Sequence, residues 1–402
     1  MSIKSADLII LGAGAAGLMA SIVASSRDKN VLLIDHAAMP GRKLLASGGG
    51  KCNVTNLKIS ENDFFGLQPE FCIPALSSFS SDDCLKMLET AKIPTEERDF
   101  GRIFCKNSAK DLVSFLQKKA TYQGVRFAMK ETILKVEKIE NTFFVSTQRE
   151  VFSAKQILIA TGGLAWPQIG ATNLGMKIAK EFGHKILPLR PALTGFVLAA
   201  DSPLLNLQGI SLPVQIWLKG DHQKSVKASK DFCTERESLL FTHKGLSGPA
   251  SLQASCAWNL GQIIYINFLP DMDVAKQITL PENGRLSIKN IFARHLPERL
   301  FKALVPQEIA LRKIAEISKT NIQNVVQNIS AFPIIPTATE GFDKAETTLG
   351  GVDTGQINPL TMESRIVPKL YFAGEVLDIA GKLGGYNIHW AFASGKMVGL
   401  AI

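Results

Sequence analysis

The chain has 402 residues, 46% of them hydrophobic and 20% charged, and 45 Lys and Arg against 36 Asp and Glu give a net charge of +9. This composition excludes collagenous, coiled-coil and disordered chains and indicates two or three globular domains, at about 150 residues each. The longest apolar stretch, Leu8 to Ala20, has thirteen residues and three glycines. A membrane helix needs roughly 18 to 20 residues, so we expect no membrane span. The basic excess permits a polyanionic partner without demanding one.

Cysteine and histidine spacing predicts no metal site. The six cysteines, at positions 52, 72, 84, 105, 233 and 256, form no CxxC pair, and the six histidines are scattered. Reduced thiols are typical of a cytoplasmic protein. A secretory signal is the alternative, since Lys4 precedes the apolar stretch, but Asp7 lies where positive charge is expected. We therefore expect a cytoplasmic protein without a metal, and the oligomeric state stays open.

The N-terminal segment predicts a strand, a glycine turn, a helix and a second strand. Asp7 to Leu11 is an apolar strand, Gly12-Ala-Gly-Ala-Ala-Gly17 follows, Leu18 to Ser26 is compatible with a helix, and Val31 to Asp35 is the second strand. In this context the first glycine permits a tight turn, the second lets the backbone approach a pyrophosphate, and the third lets the helix pack on the strand. Asp35 can accept hydrogen bonds from ribose hydroxyls. The pattern therefore predicts a dinucleotide site; the alternative is an Ala/Gly-rich helix start with an incidental Asp.

The rest of the chain predicts a first domain built from both termini. Buried strands at 156–160 and 369–373 each end in a glycine turn, and alternation between 121 and 153 indicates an antiparallel meander. From 195 to 341 the pattern changes to short strands and helices. Strands are expected at 196–198, 214–218 and 263–268, and helices at 286–295 and 309–317. We predict domain limits of 1–194 and 342–402 for the first domain, interrupted by an inserted domain at 195–341.

A glycine-rich loop follows the second strand. The segment reads Pro40-Gly-Arg-Lys-Leu-Leu-Ala-Ser-Gly-Gly-Gly-Lys-Cys-Asn-Val-Thr-Asn56. Arg42 and Lys43 can lie against a pyrophosphate, and the run from Ser47 to Gly50 suits close approach to a flat ligand, although such loops are also ordinary turns.

This segment resembles the signature of the BaiN/RdsA-like (YhiN-type) family of FAD-dependent NAD(P)/FAD oxidoreductases. The resemblance extends over the whole chain, and it implies an α/β fold. The family fold is a glutathione-reductase-like FAD-binding Rossmann domain interrupted by an inserted mixed β/α domain. The other motifs that carry the resemblance lie at 160–163 with Trp166-Pro167, and at 241–249, 348–352, 361–364, 373–378 and 384–387.

The expected FAD contacts lie at strand ends, in glycine turns and at helix starts. The resemblance implies that Gly374, Glu375 and Asp378 lie near the ribityl and phosphate groups. It also implies that Tyr386 begins a helix facing the flavin pyrimidine ring and that Ile133 contacts the adenine. The full predicted set is Gly12, Gly14, Ala15, Ala16, Gly17, Asp35, His36, Arg42, Lys43, Ser47, Gly48, Gly49, Gly50, Asn53, Ile133, Ala160, Thr161, Gly162, Gly374, Glu375, Asp378, Gly385, Tyr386, Asn387 and Ile388.

Two features have structural and functional interpretations. His389 stands where family members often have Gln, and it either donates to the flavin or substrate or is a core histidine with both nitrogens bonded; we favour the core histidine. The insert motif Thr242-His243 with Ser247-Gly-Pro249 either caps a helix through Ser247 or faces the substrate.

The resemblance offers several activities. Family members have been linked to reduction of uridine to dihydrouridine in large-subunit ribosomal RNA, to oxidation of small amines such as aminoacetone, and to bile-acid metabolism. Uridine reduction suits a basic chain best, with NAD(P)H as a transient reductant of FAD. It needs a hydride from flavin N5 at C6 of the base and a proton at C5 from a general acid.

The candidate general acids are Cys52 and His243. Cys52 follows the glycine loop, and a thiol near its normal pKa could donate at neutral pH; a packing residue is the alternative. Four lysines (Lys219, Lys224, Lys227 and Lys230) either contact RNA phosphates or belong to a plain surface loop. Two other functions are considered: an oxidase of small amines, and a flavin-holding RNA-binding or redox-responsive protein without turnover.

Overall fold

The structure, a computed structural model, describes residues 4–220 and 231–402, and it consists of two compact units. The first unit combines Met1–Pro191 with Glu346–Ile402, and the second comprises Ala192–Ala345. The first unit is therefore built from both ends of the chain. That these units are separate domains, with limits at residues 194 and 341, stays a prediction.

The secondary structure is named here in chain order. The strands are β1 Lys4–Leu11, β2 Val31–Asp35, β3 Asn53–Asn56, β4 Phe64–Phe65, β5 Thr95–Arg98, β6 Arg102–Cys105, β7 Arg126–Met129, β8 Ile133–Ile139, β9 Thr142–Thr147, β10 Val151–Ile159, β11 Ile186–Ala192, β12 Phe196–Val197, β13 Ser211–Leu218, β14 Phe232–Cys233, β15 Glu237–Phe241, β16 Gly245–Ser247, β17 Ile264–Asn267, β18 Phe332–Ile334, β19 Ala338–Thr339, β20 Thr347–Val352, β21 Leu370–Phe372 and β22 Ala380–Gly381. The helices are α1 Ala15–Ser25, α2 Arg42–Ala46, α3 Ile73–Ser78, α4 Ser81–Thr90, α5 Ala109–Tyr122, α6 Leu174–Glu181, α7 Pro249–Ala257, α8 Val274–Thr279, α9 Ile288–Phe292, α10 Glu298–Leu304, α11 Gln307–Ala310, α12 Lys319–Ser330 and α13 Tyr386–Ala401.

The main sheet of the first unit joins a parallel part to an antiparallel part. Strands β7, β2, β1, β10 and β21 pair in parallel in that order. Strands β8, β9 and β10 form the antiparallel meander expected from the alternation. Ile9 and Ile10 in β1 are both fully buried, because the sheet is covered on both faces and adjacent side chains point to opposite faces. Because these strands run parallel, their carboxyl ends meet at one edge of the sheet, next to the glycine turns.

Helices α1 and α13 cross at close range in the first unit because small residues line their contact. A Cβ on Gly395 would collide with the carbonyl oxygen of Ala16, and one on Gly399 would press on Val23. The C-terminal helix is thereby held against the helix that starts the dinucleotide motif.

The second unit is an antiparallel sheet with its own helices and core. The strand order is β18-β17-β13-β15-β16-β12-β19, with β14 paired to β13. The predicted helix at 309–317 is wrong, because α11 ends at Ala310 and the longer helix α12 starts at Lys319. The Ser318 side chain caps α12 by accepting from Asn321 N. The predicted cap at Ser247 is also wrong, since Ser247 ends β16 and Gly248 precedes α7.

Other sequence expectations concern membranes, metals and cysteines. No helix of the described residues is long and apolar enough to cross a membrane. Within the same residues no cluster of three or more His, Cys, Asp or Glu could hold a metal ion. The six cysteines are free, and Cys233 alone among them is exposed. Lys219 is exposed just after β13, whereas Lys224, Lys227 and Lys230 lie outside the described residues.

Candidate cofactor site

The first glycine turn combines two crowded glycines with an open one. Gly12 has a φ of +109°, and its N–H donates to Ile34 O at 2.9 Å. Cβ atoms would collide with the Ala160 carbonyl at Gly12 and with the Gly12 carbonyl at Gly17, whereas a Cβ at Gly14 would meet nothing within 4 Å. Gly14 precedes α1 without a side-chain cap, and no acidic residue occupies the first turn, which includes Ala15, Ala16 and Gly17. The helix N-terminus thus has both the space and the donors that a pyrophosphate needs.

Asp35 connects the ends of the first two strands. Its Oδ2 accepts from Ala13 N and its Oδ1 accepts from Ala37 N, each at 2.7 Å. The exposed His36 ring places Nδ1 3.5 Å from Asp35 Oδ1. A carboxylate has about four lone-pair sites, so Asp35 keeps acceptor capacity for ribose hydroxyls, and that role stays a prediction.

Thr161 provides a buried polar atom next to the same turn. Ala160 N donates to Leu11 O at 2.8 Å and joins the ends of β10 and β1. The Thr161 hydroxyl oxygen is buried, and it has no hydrogen-bond partner among the described residues. Gly162 follows with a φ of +75°, and a Cβ on it would meet nothing within 4 Å. An orphaned buried hydroxyl beside an open glycine fits contact with a polar ligand.

The glycine loop of residues Ser47–Gly50 is open on one side. Gly49 and Gly50 have φ values of +65° and +86°, and a Cβ on either would meet nothing within 4 Å. Gly48 instead faces the Phe104 ring, because a Cβ placed on Gly48 would lie 2.9 Å from a ring carbon of Phe104. The space at Gly49 and Gly50 fits the flat ligand that the sequence predicted there.

Lys43 and Glu375 form an ion pair across this end of the first unit. Lys43 Nζ lies 2.5 Å from Glu375 Oε2, and Glu375 Oε1 accepts from Thr348 N at 2.9 Å. Arg42 is exposed and lies close to Gly170. Lys43 therefore places a positive charge beside the glycine loop, and the carboxylate of Glu375 partly neutralises that charge.

Asp378 connects strand β20 to the segment around Leu67. Its Oδ1 accepts from Gly350 N at 2.9 Å and its Oδ2 from Leu67 N at 2.7 Å. Burial raises the pKa of Asp378, and the two backbone N–H groups oppose that effect. Gly374 N donates to Ser394 Oγ at 3.0 Å. These contacts are structural, and the predicted proximity of Gly374 and Asp378 to a ribityl chain stays a prediction.

The N-terminus of α13 is built by contacts from several segments. Asn53, with its amide oriented to satisfy all its partners, accepts from Gly385 N at 3.1 Å. Tyr386 OH donates to Lys58 O at 3.2 Å, and Asn387 Oδ1 accepts from Gly381 N at 2.8 Å. Gly385 offers no side-chain cap, and the first turn, which includes the half-buried Ile388, has no acidic residue. This helix end is positive and can stabilise negative charge on a ligand.

His389 is a core residue, as favoured from the sequence. Its Nε2 lies 2.8 Å from Phe79 O and must carry a proton, so Nδ1 accepts from Thr55 Oγ1, also at 2.8 Å. Burial lowers the pKa of His389 to about 4. The neutral ring therefore joins three segments, and both of its nitrogens are used.

The two predicted general acids belong to different units of the chain. Cys52 is 0% exposed, and burial raises its pKa to about 12, so the expectation of a thiol near its normal pKa is wrong. The main cause is burial of the thiol, and the charge interaction with Cys105 raises the pKa further. His243 is exposed at the β15–β16 turn of the second unit, and its catalytic role stays a prediction. Ile133 is half-buried at the start of β8, and its adenine contact stays a prediction too.

Two charged residues near these motifs, Glu346 and Arg102, were not predicted from the sequence as site residues. Glu346 directly precedes β20 and is half-buried, and its charge interacts with those of Lys43 and Arg102. A Cβ on Gly384 would lie 3.2 Å from Arg102 Nε, so Arg102 packs beside the start of α13. The one available signal in the sequence was the position of Glu346 two residues before the motif at 348–352.

The parallel sheet, the open glycine turn and the second uncapped helix define a dinucleotide-binding Rossmann protein with an inserted unit. Residues 6–401 match the family model described as HI0933-like protein Rossmann domain. The chain belongs to the HI0933-like family.

Three relatives align along nearly their whole length. The chain is 39% identical over 397 residues to a ribosomal RNA dihydrouridine synthase of Escherichia coli (strain K12), covering 96% of each chain. It is 37% identical over 402 residues to a protein of that name from Haemophilus influenzae, covering 98% of each. It is 27% identical over 410 residues to a 3-dehydro-bile acid delta(4,6)-reductase of Clostridium scindens, also covering 98% of each. These comparisons confirm the predicted family, fold class and oxidoreductase class.

Proposed function

We propose that this protein is an FAD-dependent oxidoreductase that reduces uridine in ribosomal RNA to dihydrouridine, with NAD(P)H as its reductant. The observation that carries the proposal is the identity of 39% and 37% with two ribosomal RNA dihydrouridine synthases over 96% or more of each chain. Such full-length identity includes both units, and a shared Rossmann fold alone would not require it. An RNA substrate would also place the protein in the cytoplasm.

The residues of the first unit fit FAD. The N-terminus of α1 and the space at Gly14 suit the pyrophosphate, and Asp35 retains acceptors for ribose hydroxyls. The orphaned Thr161 hydroxyl supplies a further polar contact. The open face at Gly49 and Gly50 suits the flat ring system. Each of these features offers the donor, acceptor or space that one part of FAD needs.

The protein's own groups would control charge and protons. Bound FAD supplies hydride transfer between NAD(P)H and the base. The positive end of α13 stabilises negative charge near it, and Lys43 adds a cation beside the glycine loop. The uracil ring must leave its stack to reach such a site, and it would then gain a hydride at C6 and a proton at C5. The net charge of +9 favours association with the RNA backbone.

The test follows flavin absorbance. The purified protein is reduced with NADH or NADPH without oxygen and mixed with ribosomal RNA that lacks dihydrouridine, with already modified RNA as the matched control. We expect rapid reoxidation by the unmodified RNA alone, and dihydrouridine in its nucleoside digest. Reoxidation by oxygen with direct reduction by amines would instead identify an amine oxidase.

The remaining alternatives give different results in the same assay. Bound flavin that no donor reduces would indicate a protein without turnover. Reoxidation by a 3-dehydro bile acid and not by RNA would favour the activity named for the relative of 27% identity. Either result would refute the proposal.

A further inference from the structure

Glu346 is held at the meeting point of the predicted flavin motifs. The next residue, Thr347, donates from Oγ1 to Asn387 Oδ1 at 3.3 Å and so reaches the first turn of α13. The residue after that, Thr348, donates from its backbone N to Glu375 Oε1, and Glu375 pairs with Lys43 beside the glycine loop. The backbone around Glu346 is therefore fixed to both ends of the site.

The Glu346 carboxyl differs from the other carboxyl groups of this site. Each of Asp35, Glu375 and Asp378 accepts two hydrogen bonds or ion-pair contacts. The half-buried Glu346 has no hydrogen bond or ion pair within residues 4–220 and 231–402. Within the described part of the chain, the Glu346 carboxyl therefore has no structural hydrogen bond to lose, and it can exchange a proton without disrupting the fold.

The charges that face Glu346 are those of Lys43 and Arg102. Burial raises the pKa of Glu346, and the two cations oppose that effect without reversing it. Arg102 itself packs beside Gly384, and its guanidinium carbon lies 5.2 Å from the Phe100 ring centroid. Lys43 shares its charge with Glu375. Burial thus favours the protonated carboxyl, whereas the two cations favour the carboxylate that remains after proton release.

We propose that the Glu346 carboxyl is the general acid that protonates C5 of the substrate pyrimidine. This inference rests on the proposed function. Bound FAD, reduced by NAD(P)H, would supply the hydride for the new bond at C6. The electron pair of the C5–C6 double bond would then take the proton of the Glu346 carboxyl at C5. Glu346 is left as a carboxylate, stabilised by Lys43 and Arg102, and regains a proton from water. Two electrons and two protons are thereby added to the base.

The test compares Glu346→Gln with Glu89→Gln, an exposed glutamate of α4 in the same unit. Glutamine keeps the shape of the side chain but has no acidic proton. We expect Glu346→Gln to keep its FAD content and its reduction by NAD(P)H. Reoxidation by RNA should fall by about a hundredfold or more, the usual contribution of general acid catalysis. The control variant should match the wild type throughout.

A readout independent of turnover is the protonated-carboxyl band in difference infrared spectra across a pH titration. This band should be present in the wild type and in Glu89→Gln and absent in Glu346→Gln. If Glu346→Gln loses FAD, the wild-type pH profile serves: RNA-dependent reoxidation should slow as rising pH deprotonates the group. A rate that is constant or rises with pH would refute the inference.

The two proposals fail in different ways. Wild-type protein that never passes electrons to RNA would refute the proposed function and this acid role with it. Active wild type together with a fully active Glu346→Gln would refute the acid alone, and the function would stand.

Discussion

Protonation of His389 should destabilise the first unit as the pH falls. The folded pKa of about 4 lies below the usual 6.5, so the unfolded chain binds more protons between these values and stability declines as pH falls through that window. At about 1.36 kcal/mol for each pKa unit, the full effect is about 3 kcal/mol. Roughly 2 kcal/mol of it should already be lost at about pH 5. The cause is structural, because protonation would place a proton on Nδ1, where Thr55 Oγ1 donates.

The assay is urea unfolding of the wild type and His389→Gln at about pH 7.5 and about pH 5. Gln supplies one donor for Phe79 O and one acceptor for Thr55, and it does not titrate. All other titrating groups are common to both proteins, so the difference between their pH dependences isolates His389. We expect the wild type to lose about 2 kcal/mol more than the variant on acidification. Equal losses in both proteins would show that His389 is not neutral and buried as described.

Three further predictions concern the cofactor site. Gly14→Leu should fold but lose FAD, since its side chain would occupy the open space proposed for the pyrophosphate. Gly17→Ala should be destabilised by about 2 kcal/mol or more, because its Cβ would collide with the Gly12 carbonyl. Measured FAD-to-protein ratios and thermal unfolding distinguish the two effects. Cys52→Ala should lower the free energy of unfolding by about 1 to 2 kcal/mol because a buried group is lost. RNA-dependent flavin reoxidation should continue in this variant. Loss of that reoxidation with FAD still bound would instead show that the Cys52 thiol is the general acid. Thr161→Val should leave the apoprotein unchanged or more stable by about 1 kcal/mol and weaken FAD binding in equilibrium titrations; unaltered affinity would contradict the proposed contact.

The dinucleotide motif was readable from the sequence because its determinants are local. An apolar strand, glycines at set intervals and an acid at the end of the next strand lie between Asp7 and Asp35, and the structure forms β1, α1 and β2 there. The helices of the insert were harder to read, since α11 and α12 are separated by a short segment whose boundary depends on the Ser318 cap.

The chemical state of the buried groups depended on packing between distant segments. Cys52 is desolvated beside Cys105, and His389 bonds to Thr55 and Phe79, more than three hundred residues earlier in the chain. The sequence by itself determined the Rossmann motif, its glycine turn and the family, since these depend on spacing along the chain. Only the tertiary structure decided that Cys52 is buried, that His389 is neutral and that Glu346 lies near Lys43, because desolvation and charge interaction depend on distance in space.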